Sequence, residues 1–149
     1  MISFIIPVYN RPDEVKELLE SFLSQESTPL DYEVVVVEDG SDLPCREVCE
    51  SYADKLPVRY LYQSPNAGPS AARNYGAKAA QGDIFLFLDS DVELPSGYLS
   101  TLALNIERRP ADLFGGPDAA KEDYTVTQRA ISYAMTSFFT TGGDRKSVV

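Results

Sequence analysis

Residues 83–91 read Asp-Ile-Phe-Leu-Phe-Leu-Asp-Ser-Asp. An apolar run of this length, from Ile84 to Leu88 and bounded by polar residues, predicts a strand over Asp83–Leu88 that is buried on both faces of a parallel sheet. Asp89, Ser90 and Asp91 then fall just past the strand's C-terminal end, where open α/β sheets bind their ligands. The same order recurs upstream. Met1–Val8 (MISFIIPV) is nearly all apolar and runs into Tyr9 and Asn10. Glu33–Glu38 (EVVVVE) carries consecutive valines, which favour extended backbone, ahead of Asp39, Gly40 and Ser41. Polar clusters at Tyr9–Asn10, Asp39–Ser41 and Asp89–Asp91 are therefore expected along one sheet edge.

Helical patterns separate these strands. Pro12 stands where a first helical turn accepts it, and Val15, Leu18, Leu19, Phe22 and Leu23 follow at i, i+3, i+4, i+7 and i+8. A short helix is expected from Pro44 to Asp54, then alternation at Val58, Tyr60 and Tyr62, a loop over Pro65–Pro69, and a helix over Ser70–Ala80 closed by Gly82. Beyond Tyr98–Arg108, read as helix, Asp112–Gly116 is expected to be a short strand and Val126–Phe139 a helix with Ala130, Ile131, Ala134 and Phe138 on one face. Strands alternating with helices predict an α/β fold of three layers, α/β/α, around a mostly parallel, Rossmann-like sheet.

The chain's 149 residues suit one domain, and 44% hydrophobic with 24% charged residues suits a soluble core-forming protein. A formal net charge of −10 is the wrong sign for a partner built on phosphate backbones, so nucleic acid is not expected as the main partner. With no histidine, a metal site has to be made from carboxylates and other oxygens, which suits Mg2+ or Mn2+. Cys45 and Cys49 lie four apart in a helical stretch and form no disulfide framework; they read as inert helix thiols in a reducing compartment. No apolar run is long enough to cross a bilayer, so a cytoplasmic chain, or one at the cytoplasmic face of a membrane, is expected.

Chemistry follows from the clusters. Carboxylates at Asp89 and Asp91, two apart in extended backbone, would share one side and could converge on a divalent cation; aspartates after strands also cap turns. A fixed cation there would stabilise the charge that a leaving nucleoside diphosphate develops. Asp39 could accept from a uracil ring N–H or a ribose hydroxyl, with Gly40 permitting close approach, or could simply close a turn. Alternation sends Glu38 to the other face, as a structural residue. Asn66 and Gly68 lie in a loop that leads into a helix N-terminus, with Arg73 about one turn inside, open either to anionic oxygens or to a surface carboxylate. Tyr9 could stack on a base or cover the sheet edge.

Taken in order, Ile5-Ile6-Pro7-Val8-Tyr9-Asn10, Val36-Val37-Glu38-Asp39-Gly40-Ser41, Asn66-Ala67-Gly68-Pro69-Ser70-Ala71-Ala72-Arg73-Asn74 and Leu86-Phe87-Leu88-Asp89-Ser90-Asp91 resemble the family 2 glycosyltransferases with the GT-A fold. The resemblance covers about residues 2–95. It implies a nucleotide-sugar-binding domain in which Pro7, Tyr9 and Asp39 hold the base, with Asn10, Asn66, Gly68 and Ser90 also on the donor site. It further implies that Arg73 lies beside the nucleotide, that Asp89 approaches the ribose, and that Asp91, with Asp89, ligates Mg2+ or Mn2+ on the diphosphate. The family's reaction transfers a sugar, most often from a UDP-sugar, with inversion to an acceptor hydroxyl. The acceptor would be a carbohydrate or a lipid-linked molecule, as in polysaccharide biosynthesis.

The family's general base sits in an acidic motif of an acceptor-binding part, which nothing after Gly116 matches; Glu122-Asp123 reads as a helix N-terminal charge. Residues 1–149 are therefore expected to be a single GT-A donor-binding domain whose acceptor-binding part lies elsewhere. The competing expectation is a non-catalytic nucleotide-sugar-binding or scaffold module. The Ile131, Ala134, Phe138 face is expected to meet a missing half, another copy or a membrane surface. A dinucleotide-dependent oxidoreductase is set aside because the first strand runs into Pro-Val-Tyr-Asn-Arg-Pro and not into a glycine-rich turn. A phosphoacceptor receiver domain would need an acidic pair where Tyr9 and Asn10 stand.

Overall fold

The computed structural model describes residues 1–26 and 30–108. Strands β1 (Ile2–Val8), β2 (Tyr32–Asp39), β3 (Val58–Gln63) and β4 (Ile84–Phe87) form one sheet, all parallel, in the order β3-β2-β1-β4. Helices α1 (Pro12–Leu23), α2 (Arg46–Tyr52) and α3 (Pro69–Ala79) connect successive strands, and α4 (Tyr98–Arg108) follows β4. The strand expected at Asp112–Gly116 and the helix at Val126–Phe139 lie outside the described residues.

The near-continuous apolar runs of β1 and β2 reflect burial on both faces. Phe4, Ile6, Val34 and Val36 pack with Leu18, Leu19 and Phe22 of α1, Cys49 of α2 and Leu99 of α4. On the other face, Ile5, Val35 and Val37 meet Ala72 of α3. A Cβ at Gly76 would lie 2.6 Å from Ile5 Cγ2 and 2.9 Å from Val37 Cγ2, so glycine there lets α3 sit directly on the two central strands.

The expectation of two-sided burial fails for β4. Ile84 and Leu86 pack against the α1 core, but Phe85 and Phe87 remain 45% and 48% exposed. The cause is position: α3 lies on β1 and β2, while β4 is the last strand in order among the described residues.

At the N-terminal end of the sheet, a buried carboxylate joins three strands to α3. Glu33 accepts from Ser3 Oγ at 2.7 Å, Gln81 N at 2.5 Å and Arg59 Nη1 at 2.7 Å. Arg59 also donates to Ala79 O at 3.0 Å, closing the end of α3. Burial alone would raise the Glu33 pKa, but the donors from Gln81, Ser3 and Arg59 together hold it below its ordinary value.

Candidate functional site

The opposite end of the sheet carries the polar clusters. β1 delivers Tyr9, which is 49% exposed, and Asn10, whose φ of 56° is a left-handed conformation that asparagine tolerates. Asn10 joins the loops after β1 and β2: its N–H donates to Ser41 Oγ at 2.7 Å, and its Oδ1 accepts from Leu43 N at 2.9 Å. Pro7 lies past the last β1–β4 pair, Ile5 with Phe87, where its missing N–H leaves no ladder bond unmade on that side.

β2 ends in two carboxylates aimed at opposite faces. Glu38, fully buried on the α1 side, accepts from Ser41 Oγ, from Cys45 N at 2.6 Å and from Tyr60 OH at 3.5 Å. It pins the turn into α2, the structural role that alternation implies. Contact with the Cys49 thiol, and then burial, pushes the Cys45 thiol far up, so this cysteine stays protonated and inert.

Asp39 points to the α3 side. Its Oδ1 accepts from Gln63 Nε2 at 2.6 Å and from Ala67 N at 2.9 Å, and its Oδ2 accepts from Gly68 N at 2.8 Å. Asn66 Nδ2 returns a bond to Asp39 O at 2.8 Å. Gly40, at φ 68°, allows this approach, because a Cβ there would stand 2.6 Å from Asn66 N. Asp39, Gly40, Asn66 and Gly68 thus form one unit that ties the β3–α3 loop to the end of β2. With Oδ1 doubly occupied and the residue only 3% exposed, Asp39 keeps a single acceptor position, on Oδ2.

α3 then brings Arg73 to Asp89, Nη2 to Oδ1 at 2.6 Å. The backbone here differs from the expected extension: β4 stops at Phe87, residues 90–91 turn, and Val92 N bonds Asp89 O at 3.3 Å. Strand alternation therefore does not place Asp89 and Asp91 on a common side. Asp89 is drawn to α3, Ser90 Oγ donates to Glu14 Oε2 at 3.1 Å on α1, and Asp91 is exposed without a hydrogen bond or ion pair among the described residues. Glu14 and Gln63, which hold this edge together, carry no sequence signal: one reads as a helix N-terminal charge and the other as the end of an alternating strand.

Among the described residues, no group of three or more acidic or cysteine side chains is gathered around a point. A hard cation would find Asp91 and, in exchange with Arg73, Asp89. Two carboxylates would suit an ion that takes its remaining ligands from phosphate oxygens and water, the usual condition of Mg2+.

The profile of Glycosyl transferase family 2 matches residues 3–147. The chain is 38% identical to an uncharacterised glycosyltransferase of Escherichia coli over 108 residues, which is 71% of this chain and 30% of that protein. It is 36% identical over 118 residues to validoxylamine A glucosyltransferase of Streptomyces hygroscopicus, covering 78% of this chain and 26% of the relative. Among solved structures, Staphylococcus aureus TarS 1–349 in complex with UDP-GlcNAc superposes with a TM-score of 0.68 at 29% identity, over 82% of this chain and 38% of that one. The chain thus spans about a third or less of the length of these curated relatives. With the parallel sheet, the rim of carboxylates and a family match over nearly all its residues, the chain belongs to glycosyl transferase family 2 and has the GT-A fold.

Proposed function

We propose that this chain is the donor-binding part of an inverting, metal-dependent glycosyltransferase that uses a nucleotide-diphosphate-sugar, with UDP as the nucleotide. The observation that carries the reading is the state of the Asp89–Asp91 turn: Asp89 is held by Arg73 and Asp91 is left exposed, at the carboxyl end of the sheet beside the Asp39-tied loop. TarS binding UDP-GlcNAc, in a relative at 29% identity, supports UDP as the probe to try first.

In this reading the exposed Tyr9 ring stacks on the base and Pro7 lines its floor, with Asn10, Asn66 and Gly68 shaping the pocket rim. The remaining Oδ2 position of Asp39 accepts from the base or ribose. Arg73 uses one nitrogen on Asp89 and keeps other N–H donors for phosphate oxygens; an exposed pair of this kind is worth about 0–1 kcal/mol, so its partial exchange costs little. Asp91, with Asp89, would hold Mg2+ or Mn2+, which supplies charge stabilisation for the departing diphosphate. Inversion requires an acceptor hydroxyl to attack the anomeric carbon in line while a carboxylate takes its proton. We assign that base, and the carbohydrate or lipid-linked acceptor's site, to parts of the enzyme outside residues 1–149.

Calorimetry of the chain with UDP and Mn2+ tests this. Binding should require both, and Asp91→Ala should weaken it by about tenfold or more. Equal affinity in the two proteins would remove the metal assignment, and binding without any donor turnover by the longer enzyme would favour the scaffold reading.

A further inference from the structure

The Asp89–Asp91 turn is tethered from both faces of the sheet. Arg73 reaches Asp89 from α3, on the face lined by Ile5 and Val35, and Glu14 reaches Ser90 from the first turn of α1, on the face lined by Phe4 and Ile6. The backbone adds little: Leu88 N to Ile5 O, at 3.1 Å, is the last bond to β1, and the turn's own bond from Val92 N to Asp89 O is 3.3 Å. Glu14 is itself held, because its Oε1 takes Arg11 while its Oε2 takes Ser90, and its side chain is 29% exposed. Asp91 is the neighbour of the tethered Ser90 and has no tether among the described residues.

We propose that Glu14 is a positioning residue for the cation site: through Ser90 it fixes the turn so that Asp91 presents its carboxylate to a divalent cation on the donor's diphosphate. This rests on the reading of Asp91 given above. With both oxygens engaged by Arg11 and Ser90, Glu14 does not compete as a ligand. Its contribution is to remove backbone freedom from the turn before binding, freedom that would otherwise be lost when the cation and nucleotide arrive.

The test is Mn2+ titration of the full chain in the presence of UDP, with free Mn2+ read from its paramagnetic resonance signal. Wild type is compared with Glu14→Ala, Glu14→Gln, Ser90→Ala, the Glu14→Ala/Ser90→Ala double variant and Asp91→Ala, each first shown to be folded by urea unfolding. Glu14→Ala and Ser90→Ala should each weaken Mn2+ binding by about five- to tenfold, within the net range of one ordinary hydrogen bond. The double variant should be no weaker than either, since both break the same contact. Glu14→Gln, whose amide oxygen still accepts from Ser90, should stay within about twofold of wild type. Wild-type affinity in Glu14→Ala overturns the proposal and leaves the donor-site reading standing. Equal losses in Glu14→Gln and Glu14→Ala overturn it in favour of a charge effect, and additive losses in the double variant overturn the route through Ser90. A wild type that takes up no Mn2+, or an Asp91→Ala variant that binds as well as wild type, overturns the donor-site reading and this proposal together.

Discussion

Asp39 shows how a single side chain can tie a loop to the end of a strand. Removing it in Asp39→Ala leaves the N–H groups of Ala67 and Gly68 and the amide of Gln63 without their acceptor. A loss of about 2–4 kcal/mol in urea unfolding is expected, along with faster amide exchange at Ala67 and Gly68. Unchanged exchange at those amides would show that the loop does not depend on the carboxylate. Gly40→Ala attacks the same unit from the backbone, combining a Cβ 2.6 Å from Asn66 N with a φ of 68°, and should cost about 2 kcal/mol or more in the same measurement. The sequence signalled that Asp39, Gly40, Asn66 and Gly68 matter, because carboxylate, glycine and loop residues stand together after a strand. It carried no sign that they bond to one another, since Asp39 and Gly68 are 29 residues apart in the chain.

Between elements, Glu33 and Gly76 set how α3 lies on the sheet. The folded-state pKa of Glu33 is lower than its ordinary 4.5, so its stabilising contribution is complete above about pH 4.5 and is lost as pH falls through the folded value. Urea midpoints measured between about pH 7 and pH 3 should therefore converge for wild type and Glu33→Gln at the acid end; parallel curves would assign the acid limb to other carboxylates. Gly76→Ala presses a methyl against Ile5 and Val37 and should destabilise by about 1–3 kcal/mol, read in the same unfolding assay. The elements themselves were legible. Pro12 opens α1, the valines of β2 are buried, and Tyr98–Arg108 is helical, because apolar period and turn residues act locally. The exposure of Phe85 and Phe87 was not, since an apolar strand reads the same in the centre of a sheet and at the end of the strand order, where β4 lies among the described residues.

For the whole molecule, charge and extent decide the most. A net charge of −10 predicts no retention on immobilised duplex DNA at physiological salt; retention would overturn the expectation drawn from charge. Among the described residues, no helix is long and apolar enough to cross a membrane. Incubated with UDP-sugar, Mn2+ and an acceptor, the 149 residues should bind the donor and yield no glycosylated product by mass spectrometry; product would place the general base within this chain. The amino-acid sequence by itself determined the parallel α/β architecture, the family and the edge at which the polar clusters gather, because these follow from patterns repeated within a few residues of each other. Tertiary structure alone decided how those clusters are wired: Asp39 turned into the Asn66–Gly68 loop, Arg73 paired with Asp89, Ser90 tethered to Glu14 and Asp91 left exposed. Those pairings join residues separated by 16 to 76 positions, and only the crossover of helices onto opposite faces of one sheet brings them within hydrogen-bonding distance.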